Sequence, residues 1–227
     1  MSRILKFMSS PADWQAMLAD PVKHWRTGYS ARTLAYCWEA TEGFPPEINS
    51  VFSASQESEL VGLSPVLAVP EFKVPLPGGT RSSQNDIFVL ARSSTGPVAI
   101  MVEGKVDESF GPTLNDWLAE ASPGKEKRLD FLLRTLGLPE KPPGDVRYQL
   151  LHRTASALIT AEQYRAVAAV LLVHTFTKKQ SGWHDYESFL RLFGVSAERG
   201  LLQRLPGKSA IPLFAAWVQG NPAYLEM

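Results

Sequence analysis

The residues of greatest chemical interest lie at the ends of two apolar runs, residues 87–91 and 98–102. Asp86 precedes the first run, and Glu103 and Lys105 follow the second. A turn-rich segment of six residues joins the runs, which predicts a β-hairpin. If that hairpin closes symmetrically, Asp86 lies directly opposite Glu103 on the paired strand.

Two carboxylates in these positions predict a bound cation. The β-carbons of directly opposed residues are only ~5 Å apart, so ionised Asp86 and Glu103 repel each other. A hard cation such as Mg²⁺ or Mn²⁺ takes oxygen ligands, and it would polarise a phosphoryl oxygen and activate a bound water. Lys105 shares a strand face with Glu103, so it is placed to orient that water or to neutralise charge in the transition state.

The pattern of Asp86 followed by Glu103-Gly104-Lys105 resembles the PD-(D/E)xK nuclease superfamily, which has the restriction endonuclease-like fold. The resemblance covers roughly residues 30–176. It implies an α/β protein with an α-β-β-β-α-β core, in which a central mixed sheet has helices on both faces. The implied reaction is metal-dependent phosphodiester hydrolysis, with DNA as the expected substrate.

The same resemblance implies two further metal ligands. In the superfamily, the carbonyl of the residue between the glutamate and the lysine often completes the metal shell, and here that residue is Gly104. A glutamate on the helix before the sheet often adds a third carboxylate. Glu39 fits this place in the order of elements, and Glu42 and Glu47 are alternatives.

The helix predicted over residues 146–164 supplies the remaining candidates. Helices in this position of the superfamily often carry a glutamine or a basic residue near the metal, which indicates Gln149 and Arg153. His152 has the side chain best suited by its pKa to act as a general base. A hydrogen-bonded structural role is the alternative for this histidine.

The elements that must position these residues form an α/β pattern. Both faces of the hairpin are apolar, which is typical of interior strands covered by helices on each side. We predict a further strand over residues 166–176, paired in parallel with the hairpin, because a helix precedes it. Other elements are expected in the following ranges: helices over 10–19, 31–43, 47–53, 114–121, 123–137 and 183–193, and strands over 71–76 and 213–218.

Two segments could serve binding. The loop of residues 78–85 begins with two glycines, which would let the backbone approach a ligand closely. The helix over residues 123–137 carries Lys125, Lys127, Arg128 and Arg134, which face either a phosphate backbone or solvent.

Composition limits the remaining possibilities. Lys plus Arg equals Asp plus Glu at 23 each, so no overall charge steers the protein toward nucleic acid. The single cysteine, Cys37, excludes an internal disulfide and a cysteine-rich zinc site, and it suits a reducing, cytoplasmic location. No G-x-S-x-G, H-E-x-x-H or G-x-G-x-x-G motif occurs in a fitting context.

The sequence therefore predicts a single domain over residues 1–227, with the core over about 30–176 and an elaboration over 177–227. We expect a magnesium-dependent nuclease that acts on DNA. A homodimer is expected from fold analogy alone. The alternative is a nuclease-like module that binds or regulates without catalysis, which the zero net charge favours.

Overall fold

A mixed β-sheet lies at the centre of the protein. The computed structural model describes residues 10–138, 141–177, 179 and 181–227. Its strands are β1 (Ser64–Val74), β2 (Ser83–Arg92), β3 (Pro97–Lys105), β4 (Ala168–Thr175), β5 (Leu202–Leu205) and β6 (Leu213–Gln219). They form one six-stranded sheet in the order β1-β2-β3-β4-β6-β5. Strands β3, β4 and β6 are parallel, whereas the other neighbouring pairs are antiparallel.

Helices cover both faces of this sheet. They are α1 (Ala12–Gln15), α2 (Pro21–His24), α3 (Ser30–Glu39), α4 (Pro46–Ala54), α5 (Leu114–Leu118), α6 (Pro123–Leu136), α7 (Tyr148–Gln163) and α8 (Trp183–Arg191). Apolar side chains of α6, α7 and α8 pack on one face, and those of α1, α3 and α4 pack on the other. This arrangement confirms the predicted α/β class. Within the described ranges, no helix has the length and apolar character needed to span a membrane.

The central hairpin has the predicted register. Ala91 is paired with Val98, and Ile87 is paired with Val102. Alternate residues of both strands separate into two hydrophobic clusters, one on each face of the sheet. Every residue of β3 after Pro97 is buried, as expected of an interior strand. Local alternation of apolar residues therefore determines which face each side chain of the hairpin occupies.

A crossover that contains α7 leads from β3 to β4. The two strands pair in parallel, with Glu103 opposite Val173 and Lys105 opposite Thr175. Helix α7 packs against β3 and β4 through an apolar stripe that includes the buried residues Leu151, Ala155 and Leu158. The predicted parallel pairing is confirmed. It places α7 over the end of β3 that carries Glu103 and Lys105.

The observed strands differ from the prediction at the edges of the sheet. Strand β1 covers Ser64–Val74, a longer range than predicted, although it contains Pro65 and Pro70. An edge strand tolerates prolines because half of its N–H groups need no partner within the sheet. The short edge strand β5 was not predicted. Strand β6 lies between β4 and β5, so the segment after residue 177 contributes an interior strand of the sheet.

The glycine loop before β2 packs closely against a helix. Gly78 has a left-handed backbone with φ of 82°. A β-carbon at this position would overlap the carbonyl oxygen of Gly124 at the start of α6. Close by, the buried Arg128 guanidinium donates to the carbonyl of Pro77 at 2.8 Å. Arg128 therefore anchors the loop, and it does not face a phosphate backbone as one reading of α6 allowed.

Candidate active site

The hairpin and α7 bring six of the residues that the sequence indicated to one cavity. Asp86 on β2 directly precedes Ile87, and Glu103 on β3 directly follows Val102, the partner of Ile87. The cavity has a volume of about 480 Å³. The residues on its wall that the sequence indicated are Asp86, Glu103, Gly104, Lys105, Gln149 and Arg153.

Glu103 is the buried centre of the charged residues. Its Oε1 is 2.7 Å from the Lys105 Nζ, and its Oε2 is 2.5 Å from the Arg153 Nε. Only 3% of its side chain is exposed. Burial alone would raise the pKa of Glu103, but the charges of Arg153 and Lys105 lower it to about 2. Glu103 is therefore ionised at neutral pH.

Asp86 is held less tightly and faces the open part of the cavity. Its Oδ2 accepts a hydrogen bond from the Gly104 N–H at 2.8 Å, and its Oδ1 is 3.6 Å from the Arg153 Nη2. Its side chain is 23% exposed. Burial, followed by the negative charge of Glu103, raises the pKa of Asp86 to about 8. The two opposed carboxyl groups thus have pKa values that are shifted in opposite directions.

Lys105 is fixed on three sides. Besides Glu103, its ammonium group donates to the Gln149 Oε1 at 3.1 Å. The same nitrogen lies 4.6 Å from the centre of the Phe110 ring, within range of a cation–π interaction. With 5% of its side chain exposed, Lys105 points along the cavity wall in a defined position. Gln149 therefore acts on the site by orienting Lys105.

Glu39 does not contribute to this cavity. Its Oε1 accepts a hydrogen bond from the Trp14 indole N–H at 2.8 Å. It lines a separate cavity, together with Glu42. The expectation that Glu39 supplies a third carboxylate is therefore not met, because α3 directs this side chain toward α1 and away from β3.

Two further carboxylates lie on the cavity wall, those of Glu108 and of Glu71 on β1, and the sequence analysis missed both. Glu71 has a left-handed backbone with φ of 52°, and it lies between the paired positions Pro70–Ile87 and Phe72–Asn85. Its side chain accepts a hydrogen bond from the Gln84 amide. Burial raises the pKa of Glu71, and the Gln84 hydrogen bond counteracts part of that shift. The sequence could have indicated Glu71 as an acidic residue that lies opposite Asp86 when the predicted strand before the glycine loop pairs with β2.

His152 has the structural role that was the alternative for it. Its Nδ1 lies 2.8 Å from the Ser83 hydroxyl, and its ring packs 4.8 Å from that of Tyr148. Burial and then the positive charge of Arg153 lower the pKa of His152 well below its ordinary value. The histidine is therefore neutral, and it is absent from the cavity wall among the described residues.

Glu47, the other alternative for the third carboxylate, belongs to a cluster on the opposite face of the sheet. Ligand atoms of Cys37, Glu47 and His174 lie within 4.8 Å of one another. The Glu47 Oε1 is 2.9 Å from the His174 Nε2 and 3.9 Å from the Cys37 Sγ. Three such groups could hold a metal ion. The hydrogen bonds of His174 show whether its ring nitrogen is available as a ligand.

The hydrogen bonds around His174 favour a neutral imidazole and a metal-free cluster. The Trp38 indole N–H donates to the His174 Nδ1 at 3.3 Å, so that nitrogen carries the lone pair. The proton of the neutral ring then lies on Nε2, from which it is donated to Glu47. A metal at Nε2 would need the proton on Nδ1, where it would face the Trp38 N–H. The cluster thus joins α3, α4 and β4 through hydrogen bonds.

The N-terminal segment forms the outer rim of the cavity. Lys23 and His24 of α2 line it, together with Tyr29 and Ser30 at the start of α3. The Ser30 N–H donates to the Glu108 Oε1 at 3.0 Å, which ties this segment to the chain that follows β3. The rim adds nitrogen and hydroxyl donors to a cavity whose floor is rich in carboxylates.

These observations define an α/β protein with a six-stranded mixed sheet and a charged cavity at the end of its central strand β3. The chain belongs to the family described as "Domain of unknown function (DUF6946)", which matches residues 7–222. No curated protein and no solved structure matches the chain.

Proposed function

We propose that the protein is a metal-dependent phosphodiester hydrolase, a nuclease with DNA as its substrate. The observation that carries the proposal is the convergence of Asp86, Glu103 and Lys105 on one cavity, with Gln149 bound to the lysine. A cytoplasmic location and a homodimer remain predictions that accompany this proposal.

We assign the core to the restriction endonuclease-like fold. The chain order α3, β1, β2, β3, α7, β4 supports this assignment, because it follows the α-β-β-β-α-β order expected of that core. The acidic residues also lie where that fold would place them, on two neighbouring antiparallel strands. The additional helix α4 and the segment from α8 onward are elaborations of the same sheet.

The donor atoms of the cavity fit a hard cation. Asp86, Glu103 and Glu71 offer carboxylate oxygens, which Mg²⁺ and Mn²⁺ prefer. Four carboxyl groups line the cavity, those three and Glu108, so they outnumber the cationic side chains of Lys23, Lys105 and Arg153. Asp86 and Glu103 would hold the cation, and the Gly104 carbonyl is a further candidate ligand.

Lys105 and Gln149 have separate roles in the proposed reaction. A divalent cation bound here would polarise a phosphoryl oxygen of the substrate and lower the pKa of a bound water. Lys105 neutralises the negative charge that grows on the phosphoryl oxygens as the water attacks. Gln149 keeps the ammonium group aimed at that position, and burial of Lys105 prevents it from turning toward bulk solvent.

One observation favours a second candidate, a binding module without catalysis. The Arg153 guanidinium lies between Glu103 and Asp86, where it already neutralises part of their charge. A protein that has replaced a metal by an arginine would show this arrangement. The two candidates therefore differ in whether Asp86 and Glu103 accept a divalent cation.

A cleavage assay with Lys105→Met tests the nuclease proposal. Methionine keeps much of the volume of lysine, whereas Lys105→Ala would leave a hole beside the buried Glu103. We expect the wild-type protein to cut plasmid DNA in Mg²⁺ or Mn²⁺, and the variant to lose about a hundredfold or more in rate. Chelation with EDTA should abolish cutting by the wild-type protein.

The matched control is Glu39→Gln, which keeps the oxygen that accepts from Trp14 and lies outside the cavity. Its rate should equal that of the wild type. Equal activity of the Lys105→Met variant would remove Lys105 from the mechanism. No cleavage of double-stranded DNA, single-stranded DNA or RNA by the wild type would favour the non-catalytic module.

A further inference from the structure

Arg153 is the cation that joins the two opposed carboxylates. Its Nε is 2.5 Å from the Glu103 Oε2, and its Nη2 is 3.6 Å from the Asp86 Oδ1. Among the residues that the structure describes, no other cationic side chain forms an ion pair with both acids. The side chain is 9% exposed, and it emerges from the middle of α7 directly over the sheet.

The guanidinium and a divalent cation cannot share Asp86 and Glu103 in this arrangement. If both stayed, the guanidinium and the cation would compete for the position between the two acids. Two positive groups would then lie within a few ångströms of each other in a partly desolvated cavity, where they repel strongly. Arg153 therefore has to leave at least one carboxylate whenever a cation binds. An arginine cannot reduce the conflict by losing its proton, because its pKa is too high.

The unequal contacts of Arg153 indicate how it would move. The contact with Glu103 is short and buried, whereas the contact with Asp86 is long and faces the open cavity. The Nη2 is already beyond hydrogen-bond distance of Asp86, so a small change in the side-chain torsions of Arg153 separates these two groups while Nε stays near Glu103. Arg153 lines the cavity of about 480 Å³, so the space beside its guanidinium is open.

We propose that Arg153 is an exchangeable counter-ion that becomes a phosphate-binding group. In the cation-free protein it neutralises Glu103 and contacts Asp86. In the loaded protein it is displaced from Asp86 and binds a non-bridging oxygen of the substrate phosphate. Arginine suits the second role because its planar donors match phosphate oxygens. The inference rests on the proposed function, since it requires a metal ion and a phosphodiester in this cavity.

Calorimetric titration with Mn²⁺ in the absence of nucleic acid tests the first half. We expect Arg153→Met to bind Mn²⁺ at least about tenfold more tightly than the wild type, because a competing charge is removed from the two ligands. Arg153→Lys should bind with intermediate affinity, since it keeps the charge without the reach of the guanidinium. Arg134→Met, which removes an exposed arginine far from the cavity, controls for the change in net charge.

Binding of a DNA oligonucleotide in Ca²⁺ tests the second half. The Arg153→Met variant should bind DNA about tenfold more weakly than the wild type, although it binds the metal more tightly. This opposite movement of the two affinities separates an exchange from a purely structural role, which would weaken both. Thermal unfolding of each variant checks that the fold is retained.

The outcomes separate this inference from the proposed function. If the wild type binds Mn²⁺ and Arg153→Met binds it equally or more weakly, the exchange is wrong while the nuclease proposal stands. If Arg153→Met binds metal more tightly and DNA equally well, the phosphate-binding role is wrong. If neither protein binds Mn²⁺, the metal-dependent function and the exchange both fail.

Discussion

Asp86 and Glu103 are neighbouring carboxyl groups in one cavity, yet the pKa of Asp86 is raised and that of Glu103 is lowered. Glu103 has two short ion pairs, whereas Asp86 has a backbone N–H and one long contact with Arg153. The ionised form of Glu103 is therefore stabilised, and the ionised form of Asp86 is penalised. Because its pKa is raised, Asp86 in the cation-free cavity carries a proton that it can release.

This difference predicts a pH dependence of stability that Asp86→Asn should remove. The pKa of Asp86 is raised from 3.8 to about 8, so between these values the unfolded chain loses a proton that the folded protein keeps. Stability from this group is fully present below the lower value and declines as the pH rises toward the upper one. The wild type should therefore lose stability relative to Asp86→Asn between pH 5 and pH 8, measured by urea unfolding. Parallel pH profiles would contradict the raised pKa.

The site residues on the hairpin could be predicted because they depend on local register. Asp86, Glu103 and Lys105 face the same way once Ala91 is paired with Val98, and the apolar alternation determines that pairing. The Arg153 contact could not be derived in the same way, since it depends on how α7 packs over β3. An isolated sequence shows a basic residue on a helix and leaves its distance from the sheet undetermined.

At the level of elements, β1 contributes a residue to the cavity through an irregular backbone. Glu71 adopts a left-handed conformation that is unfavourable for residues with a β-carbon. The register on either side of it advances normally from Pro70 to Phe72. The strand thus carries a local deformation at the position where its carboxylate reaches the site.

Comparison of Glu71→Gly with Glu71→Ala measures the cost of that deformation. Both variants remove the carboxylate and its contact with Gln84, but only glycine adopts φ of 52° without strain. Glu71→Gly should therefore be more stable than Glu71→Ala by about 1 kcal/mol, measured by urea unfolding. A more stable alanine variant would show that β1 relaxes to an extended backbone when the carboxylate is absent.

Regular elements could be predicted where sequence signals coincide. Helix α6 has a capping Ser122, Pro123 in the first turn and Gly137 with φ of 69° after its last residue, which agree with its apolar periodicity. Glu71 and the short strand β5 lack such signals. The prolines near Glu71 argue against a strand in this segment. The segment is extended because it pairs with β2, which cannot be read from the local sequence.

At the level of the whole molecule, the C-terminal segment is part of the sheet. Strand β6 pairs with β4 through seven positions, from Ala169–Leu213 to Thr175–Gln219. Every residue of β4 is buried. The sequence suggested an elaboration over 177–227 because the resemblance ended near residue 176. It predicted the strand over 213–218, but no local signal shows that this strand pairs with β4 inside the sheet.

A chain that ends at residue 176 should therefore fail to form a stable domain. Removal of β6 would leave β4 as an exposed apolar edge, which favours aggregation. We expect the truncated protein to be insoluble or to lack cooperative thermal unfolding, as followed by circular dichroism. Ending the chain at residue 221 instead removes only the last turn, and this control should keep the transition. A cooperative transition for the shorter chain would show that residues 1–176 fold without β6.

The two outermost strands restrict how copies of this protein could associate. Strand β1 interrupts its free side with Pro65, Pro70 and the left-handed Glu71, and β5 has only four residues. Neither strand offers the long, regular row of N–H and C=O groups that joining sheets between molecules requires. A symmetric pair would have to meet through its helices and loops. The spacing of its two cavities along a DNA duplex would then depend on surface side chains, which change more readily in evolution than a shared sheet.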